Sequence, residues 1–195
     1  MARLPILLCL LFATLPILAQ SVGIPAGAPS PPAVKEKAGN KSTVAWIWKS
    51  TKAGVDEKVF FRREFELPPN VATAVITVFC DDWHHLWVNG RDIGKAGEWT
   101  IPHHYDVLAH LKPDGRNVIA VESRNAAGPA GLALRFKATL KDGSALQIIS
   151  DANWQCGSEA PEGWWNLSSP AVLAWPKAVV VAKMGEGPWL VQMPP

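Results

Sequence analysis

Asp81 and Asp82 are adjacent carboxylates set directly before Trp83, His84 and His85. Where a strand gives way to a loop, two carboxylates can accept hydrogen bonds from sugar hydroxyls. They can also join loop carbonyls around a structural Ca²⁺, a hard cation that takes about six to eight oxygens. The plainer alternative is one turn-capping carboxylate and one solvated one. All five histidines, His84, His85, His103, His104 and His110, fall in one window. Imidazole suits zinc, copper or nickel, but no Cys or Glu stands at the spacing of the familiar zinc motifs, so no metal site is assigned. Ten tryptophans occur in 195 residues. Trp83, Trp164 and Trp165 are flanked by Asp, His, Gly and Asn rather than by apolar runs. An indole offers a flat apolar face to the C–H face of a pyranose and an N–H that donates a hydrogen bond. The candidate carbohydrate contacts are therefore Trp83, Trp164 and Trp165 for stacking, with Asp82, His84 and Asn125 for hydrogen bonding. Trp46, Trp48, Trp87, Trp154 and Trp175 lie in strand patterns and are expected in the core.

Catalysis has little to stand on. Glycoside cleavage needs two carboxyls flanking one bond, whereas adjacent carboxylates at a strand end point apart. There is no G-x-S-x-G, no phosphate-binding glycine loop and no H-E-x-x-H. No catalytic residue is assigned.

The elements that must position these groups read as strands. Leu132, Leu134, Phe136, Ala138 and Leu140 alternate with Ala133, Arg135, Lys137, Thr139 and Lys141, giving one dry face and one wet face. Ala74, Ile76, Val78 and Cys80 share one face of an earlier strand. Asn89-Gly90 predicts a two-residue hairpin, and Asp114-Gly115 and Asp142-Gly143 predict further turns. Trp46 and Trp48 are expected on one face of the first strand. Val59, Phe61, Phe65 and Leu67 form an apolar face on which Arg63 also falls, which calls for a bulge or a buried partner, the bulge being favoured. Tyr105 to Leu111 is the one helical candidate. Strands closely spaced between Gly and Asp turns predict an all-β, antiparallel β-sandwich of jelly-roll type.

Residues 1–19 read as a signal peptide: Arg3, then an apolar run of about fifteen residues, then small Ala19. That run is too short for a membrane span, which needs about twenty residues. Residues 20–41, with Pro25, Pro29, Pro31 and Pro32, read as a Pro/Ala/Gly-rich disordered linker. Residues 42–190 make the folded domain and 191–195 a C-terminal tail. The expected location is secreted, periplasmic or at the cell surface. A formal net charge of +2 without a basic stripe excludes a nucleic-acid partner. In an oxidising compartment Cys80 and Cys156 could form a disulfide, and they could equally pack as two buried thiols. Asn40-Lys41-Ser42 and Asn166-Leu167-Ser168 fit the glycosylation triplet.

The order of short motifs resembles a known family. Val59 to Leu67, Ala74 to Asp82, Leu86-Trp87-Val88-Asn89-Gly90, Asp106 to Leu111, Gly115 to Val121, Asn125, Gly128 to Leu132, Ser150 to Trp154, Gly163-Trp164, Trp175 with Ala178, and Gly187-Pro188-Trp189 follow one another as in galactose-binding-like domains. These are the sugar-binding domains of β-galactosidase-like and α-L-rhamnosidase-like glycoside hydrolases. The resemblance covers residues 42 to 190 and implies a jelly roll with a supporting or carbohydrate-binding role. No catalytic domain is expected after Trp189, so the relatives' hydrolase activity is not expected of this chain. The expected function is a secreted, non-catalytic carbohydrate-binding module. The rival is a structural or protein-interaction module, accessory to a separate hydrolase, in which exposed tryptophans anchor a protein partner.

Overall fold

A computed structural model describes residues 43–167, 169 and 174–195. The signal peptide over 1–19, the linker over 20–41, the Asn40 triplet and Ser168 of the second triplet lie outside the described residues. Eleven strands and one short 3-10 turn are described. They are β1 (Ala45–Trp48), β2 (Glu57–Leu67), β3 (Val71–Asp81), β4 (Trp83–Val88), β5 (Arg91–Gly97), β6 (His103–Asp106), the turn Leu108–His110, β7 (Gly115–Asn125), β8 (Gly131–Leu140), β9 (Ala145–Ile149), β10 (Gln155–Gly157) and β11 (Val179–Lys183). One sheet has the order β11-β1-β8-β3-β6, with β9 also on β8; the other is β10-β2-β7-β4-β5. Neighbouring strands within each sheet pair antiparallel. The expected all-β sandwich is the observed fold.

The main core lies between the sheets. Val59 and Phe61 on β2, Leu86 and Val88 on β4, and Ile119 and Val121 on β7 meet Ile76 and Val78 on β3 and Leu132, Leu134 and Phe136 on β8, all fully buried. Strand periodicity puts them there, because alternate side chains share a face. Two smaller clusters cover the outer faces. Trp46, Phe79, Ala133, Ile149, Met184 and Trp189 pack on the first sheet, while Ala120 and Trp164 pack on the second with Phe60, Trp87, Trp165 and Trp175. Asn89 (φ 49°) and Gly90 (φ 83°) form the expected hairpin turn between β4 and β5. Gly90 also leaves room for the Asn166 side chain, whose Oδ1 would lie 2.0 Å from a Cβ there.

Three expectations are corrected. The β2–β7 register runs unbroken from Glu57↔Asn125 to Leu67↔Gly115, so no bulge relieves Arg63. Instead its Nη1 donates to the Asn153 carbonyl at 2.9 Å, so the head finds a partner. Trp46 and Trp48 do not share a face. A register shift against β11 between Trp46 and Ile47 sends Trp46 to the outer cluster and Trp48 to the main core. Tyr105 belongs to β6, where it pairs with Ile76, and the helical candidate shrinks to the turn Leu108–His110. Pairing with β3 outweighs a weak two-turn helical pattern.

Candidate functional site

The end of β3, the start of β4, the end of β7 and the start of β8 meet at one end of the sandwich, because Asp81 pairs with Gly131 and Trp83 with Arg124. Asp82 links β3 to β4. Its backbone N–H donates to the Arg124 carbonyl at 2.8 Å, and its Oδ2 accepts the Ala126 N–H at 2.7 Å. Arg124 lays its guanidinium 4.7 Å from the Trp83 ring centre and bonds Glu122 at 2.8 Å and 2.9 Å. This is a cation–π contact held in place by a carboxylate.

A cleft of about 500 Å³ opens on the same loop end. Ser50, Thr51 and Lys52 of the β1–β2 loop, Gly128 and Pro129 of the β7–β8 loop, and Trp189 line it. Trp189 also donates its indole N–H to Asp81 Oδ2 at 2.7 Å, which ties one wall of the cleft to the first member of the acidic pair. The Trp189 ring is set by stacking on Trp46 at 4.4 Å and 22°. Gly131 permits this packing, since a Cβ there would lie 2.8 Å from the Trp46 ring and 3.1 Å from Trp189. The cleft itself is lined by the Ser50 to Lys52 segment and the Trp189 ring, while Asp82, Trp83 and Arg124 stand at the same loop end outside its lining.

Asp81 is 8% exposed, and burial pushes its carboxyl up to about 6. The neighbouring Asp82 and Glu98 charges add to the rise, and the Trp189 hydrogen bond opposes it. A carboxyl whose folded pKa exceeds its unfolded value stabilises the fold below about 3.8, and that contribution is lost as pH rises through 6. At neutral pH ionised Asp81 is a burden at the edge of a cleft, as is common where function selects the residue. Asp81→Asn should therefore raise the chemical-denaturation stability at pH 8 by about 1–2 kcal/mol, allowing for solvent screening, with the gain vanishing by pH 4. Equal stabilities at pH 8 would show that Asp81 carries no such penalty. Among the described residues no three His, Cys, Asp or Glu side chains converge. A Ca²⁺ held by Asp81 and Asp82 would thus draw most of its ligands from carbonyls and water.

The structure separates the sequence candidates. Asp82 and Trp83 stand together at the loop end. His84 does not join them: it is 1% exposed, faces the sandwich interior, and places Nε2 3.0 Å from the Tyr105 hydroxyl. Burial, with His103 and His85 nearby, pushes it down to about 3, so it is a neutral core group rather than a surface contact. Asn125 is also buried, donating to the Gly54 carbonyl at 2.8 Å, and it fastens the β1–β2 loop. Trp164 is buried on the outer face of the second sheet among Phe60, Trp87 and Trp175. Trp165 stacks on Trp87 at 5.8 Å and 16°, toward the far end of β4 from Trp83, about four strand rises or 13 Å along it. Cys80 and Cys156 are buried free thiols, not a disulfide, on strands of opposite sheets. Desolvation pushes them up to about 12 and about 11, and they serve as small core hydrophobes.

Three contributors have no site role assigned from the sequence. Ser50–Lys52 carry no motif. The role of Trp189 depends on a contact 108 residues away. Arg62 is 1% exposed, with Nε on the Trp164 carbonyl at 3.1 Å, Nη2 on the Asn166 carbonyl at 2.9 Å and Nη1 2.5 Å from Glu64. Its outward position in β2 was the available signal, since a charge beside Phe60 on a covered face demands partners.

No protein-family model matches the chain. An α-L-rhamnosidase of Streptomyces avermitilis is 29% identical over 171 residues, covering 82% of this chain and 16% of that enzyme. The crystal structure of Streptomyces avermitilis α-L-rhamnosidase complexed with L-rhamnose superposes with a TM-score of 0.69 at 30% identity, over 75% of this chain and 15% of that one. The Pleurotus ostreatus lectin in its apo form gives 0.69 at 25% identity, over 77% of this chain and 45% of the lectin. The chain thus spans about a sixth of the rhamnosidase. The expected likeness to a galactose-binding-like sandwich related to rhamnosidases stands on these matches. Among the described residues no helix is long and apolar enough to cross a membrane.

Proposed function

We propose that the chain is a secreted, non-catalytic carbohydrate-binding module that receives a sugar at the loop end marked by Asp81, Asp82 and Trp83. The observation that carries this reading is the cleft beside the acidic pair, joined to it through Trp189. Acceptors (Asp81, Asp82), donors (Lys52, Arg124) and an aromatic ring (Trp83) stand at that one loop end, a combination that suits a hydroxyl-rich ligand. The likeness to a rhamnosidase solved with L-rhamnose and to a lectin supports it. Both carboxylates are tied to loop groups, Asp81 to Trp189 and Asp82 to Ala126, which favours holding a ligand over moving protons. Residues 1–19 would direct export and 20–41 would tether the domain. Loss of residues 1–19 from exported protein, read by mass, tests that part.

Titration calorimetry with L-rhamnose, galactose and N-acetylgalactosamine, with Ca²⁺ and with chelator, tests the site. At least one of these sugars should bind. Asp82→Ala should weaken it about 10–100-fold, the loss expected for a charged hydrogen-bonding group. Trp83→Ala should weaken it about fivefold or more. A correctly folded chain that binds none of the three sugars under either condition would overturn the reading.

A further inference from the structure

The outward side chains of the second sheet form rows that no loop-end role explains. Strand register aligns Lys58, Arg124 and Trp83 in one row, Phe60, Glu122 and His85 in the next, and Arg62, Ala120 and Trp87 in the third. Along β4 the rings follow one another at short steps. Trp83 to His85 is 6.0 Å between centres, His85 to Trp87 is 3.7 Å, and Trp87 to Trp165 is 5.8 Å. All four rings are partly exposed. A partly exposed aromatic run on the outer face of a sheet is an unusual use of surface.

Beside this run two cations, Lys58 and Arg124, stand with two carboxylates, Glu122 and Asp92. Glu122 takes Lys58 at 3.4 Å and Arg124 at 2.8 Å, and His85 lies 2.9 Å from Asp92. Such a face has no excess charge to offer an anion or a cation. It does have fixed donors and acceptors beside apolar rings, which fits a neutral polyhydroxylated ligand.

A second, independent observation concerns how Trp165 is held. Arg62 is a buried cation whose donors grip the carbonyls on both sides of Trp165, those of Trp164 and Asn166. Gly90 leaves room for Asn166 to seat against the β4–β5 turn. Burying a guanidinium is a costly means of covering Phe60 and Ala120, which apolar side chains would do as well. It fixes a backbone geometry, and with it the stacking of Trp165 on Trp87.

We infer that the outward face of β4, from Trp83 through His85 and Trp87 to Trp165, is a second contact surface for a neutral glycan, so that the chain holds several rings of one saccharide. This inference rests on the loop end binding a sugar and extends that site along the sheet. Arg62 acts as a positioning residue for the far end of the surface.

The test is a length series: L-rhamnose and galactose against neutral linear rhamnan and galactan oligosaccharides of two to six rings, titrated into the full chain. Affinity should tighten at least tenfold from one ring to four or more. Trp165→Ala should reduce that gain to less than threefold while leaving the single-ring affinity unchanged. Indole resonances of unmodified protein give a readout that needs no variant: those of Trp87 and Trp165 should shift with the long oligosaccharides and not with single sugars. Length-independent affinity, or indole signals of Trp87 and Trp165 that stay fixed, would overturn the extended surface and leave the loop-end site standing. If neither single sugars nor oligosaccharides bind, both readings fall together.

Discussion

Arg62→Met should lower the melting temperature by about 6–12 °C, the shift expected for roughly 3 kcal/mol in a domain of this size. The substitution keeps the apolar stem, so the loss is one of donors and charge. It strips the Trp164 and Asn166 carbonyls of their guanidinium partners. It also removes one of the two cations on Glu64, the other being Arg116. Arg62→Lys keeps the charge but not the planar fork, and one ammonium cannot meet three acceptors in those directions. Lysine should therefore fall between the parent and methionine. The intrinsic fluorescence should shift in both variants, because the Trp164–Trp165 segment loses its fixed seat. Scanning calorimetry checks the first part, and a methionine variant that melts within a degree of the parent would refute the anchoring role.

Acidification should destabilise the fold through His84, with a difference slope close to 1.4 kcal/mol per pH unit between about pH 6 and pH 4. His84 is pushed down to about 3, first by burial and then by His103 and His85. A base with a depressed folded pKa binds its proton more readily when unfolded. Its contribution to stability is therefore complete above about 6.5 and is lost as pH falls toward 3. Asp81 works in the opposite sense, since its raised pKa makes the folded state take up a proton on going below 6. The two partly cancel in the parent protein, so the measurement is a comparison. His84→Gln keeps a polar group near the Tyr105 hydroxyl and removes the titration. Urea midpoints of parent and His84→Gln should converge as pH falls from 7 to 4. Parallel curves would show that His84 is protonated in the folded state without penalty.

The alternation in β8 and the turn residues at Asn89-Gly90, Asp114-Gly115 and Asp142-Gly143 were readable because strand and turn geometry are local. The two adjacent histidines show where that legibility stops. A period of two places His84 and His85 on opposite faces of β4, but nothing local says which face meets the other sheet. Long-range register settles it: β4 lies against β7, and Leu86 and Val88 turn inward with His84. The same division separates Trp164 from Trp165. Both carry loop-like flanks, yet Arg62, about a hundred residues earlier, draws the segment onto the sheet so that one ring is covered and its neighbour stays partly open.

The amino-acid order by itself determined an antiparallel sandwich, the positions of its hairpins and the family it resembles, because these follow from patterns a few residues long. It also pointed to Asp82 and Trp83, which sit at a strand end whatever the packing. Only the tertiary structure decided that His84, Asn125 and Trp164 face inward and that Trp189 joins Asp81 to a cleft. It also decided that Arg62 holds Trp165 in place. Each of these depends on contacts between distant strands, where burial and pairing outweigh any preference carried by neighbours in the chain.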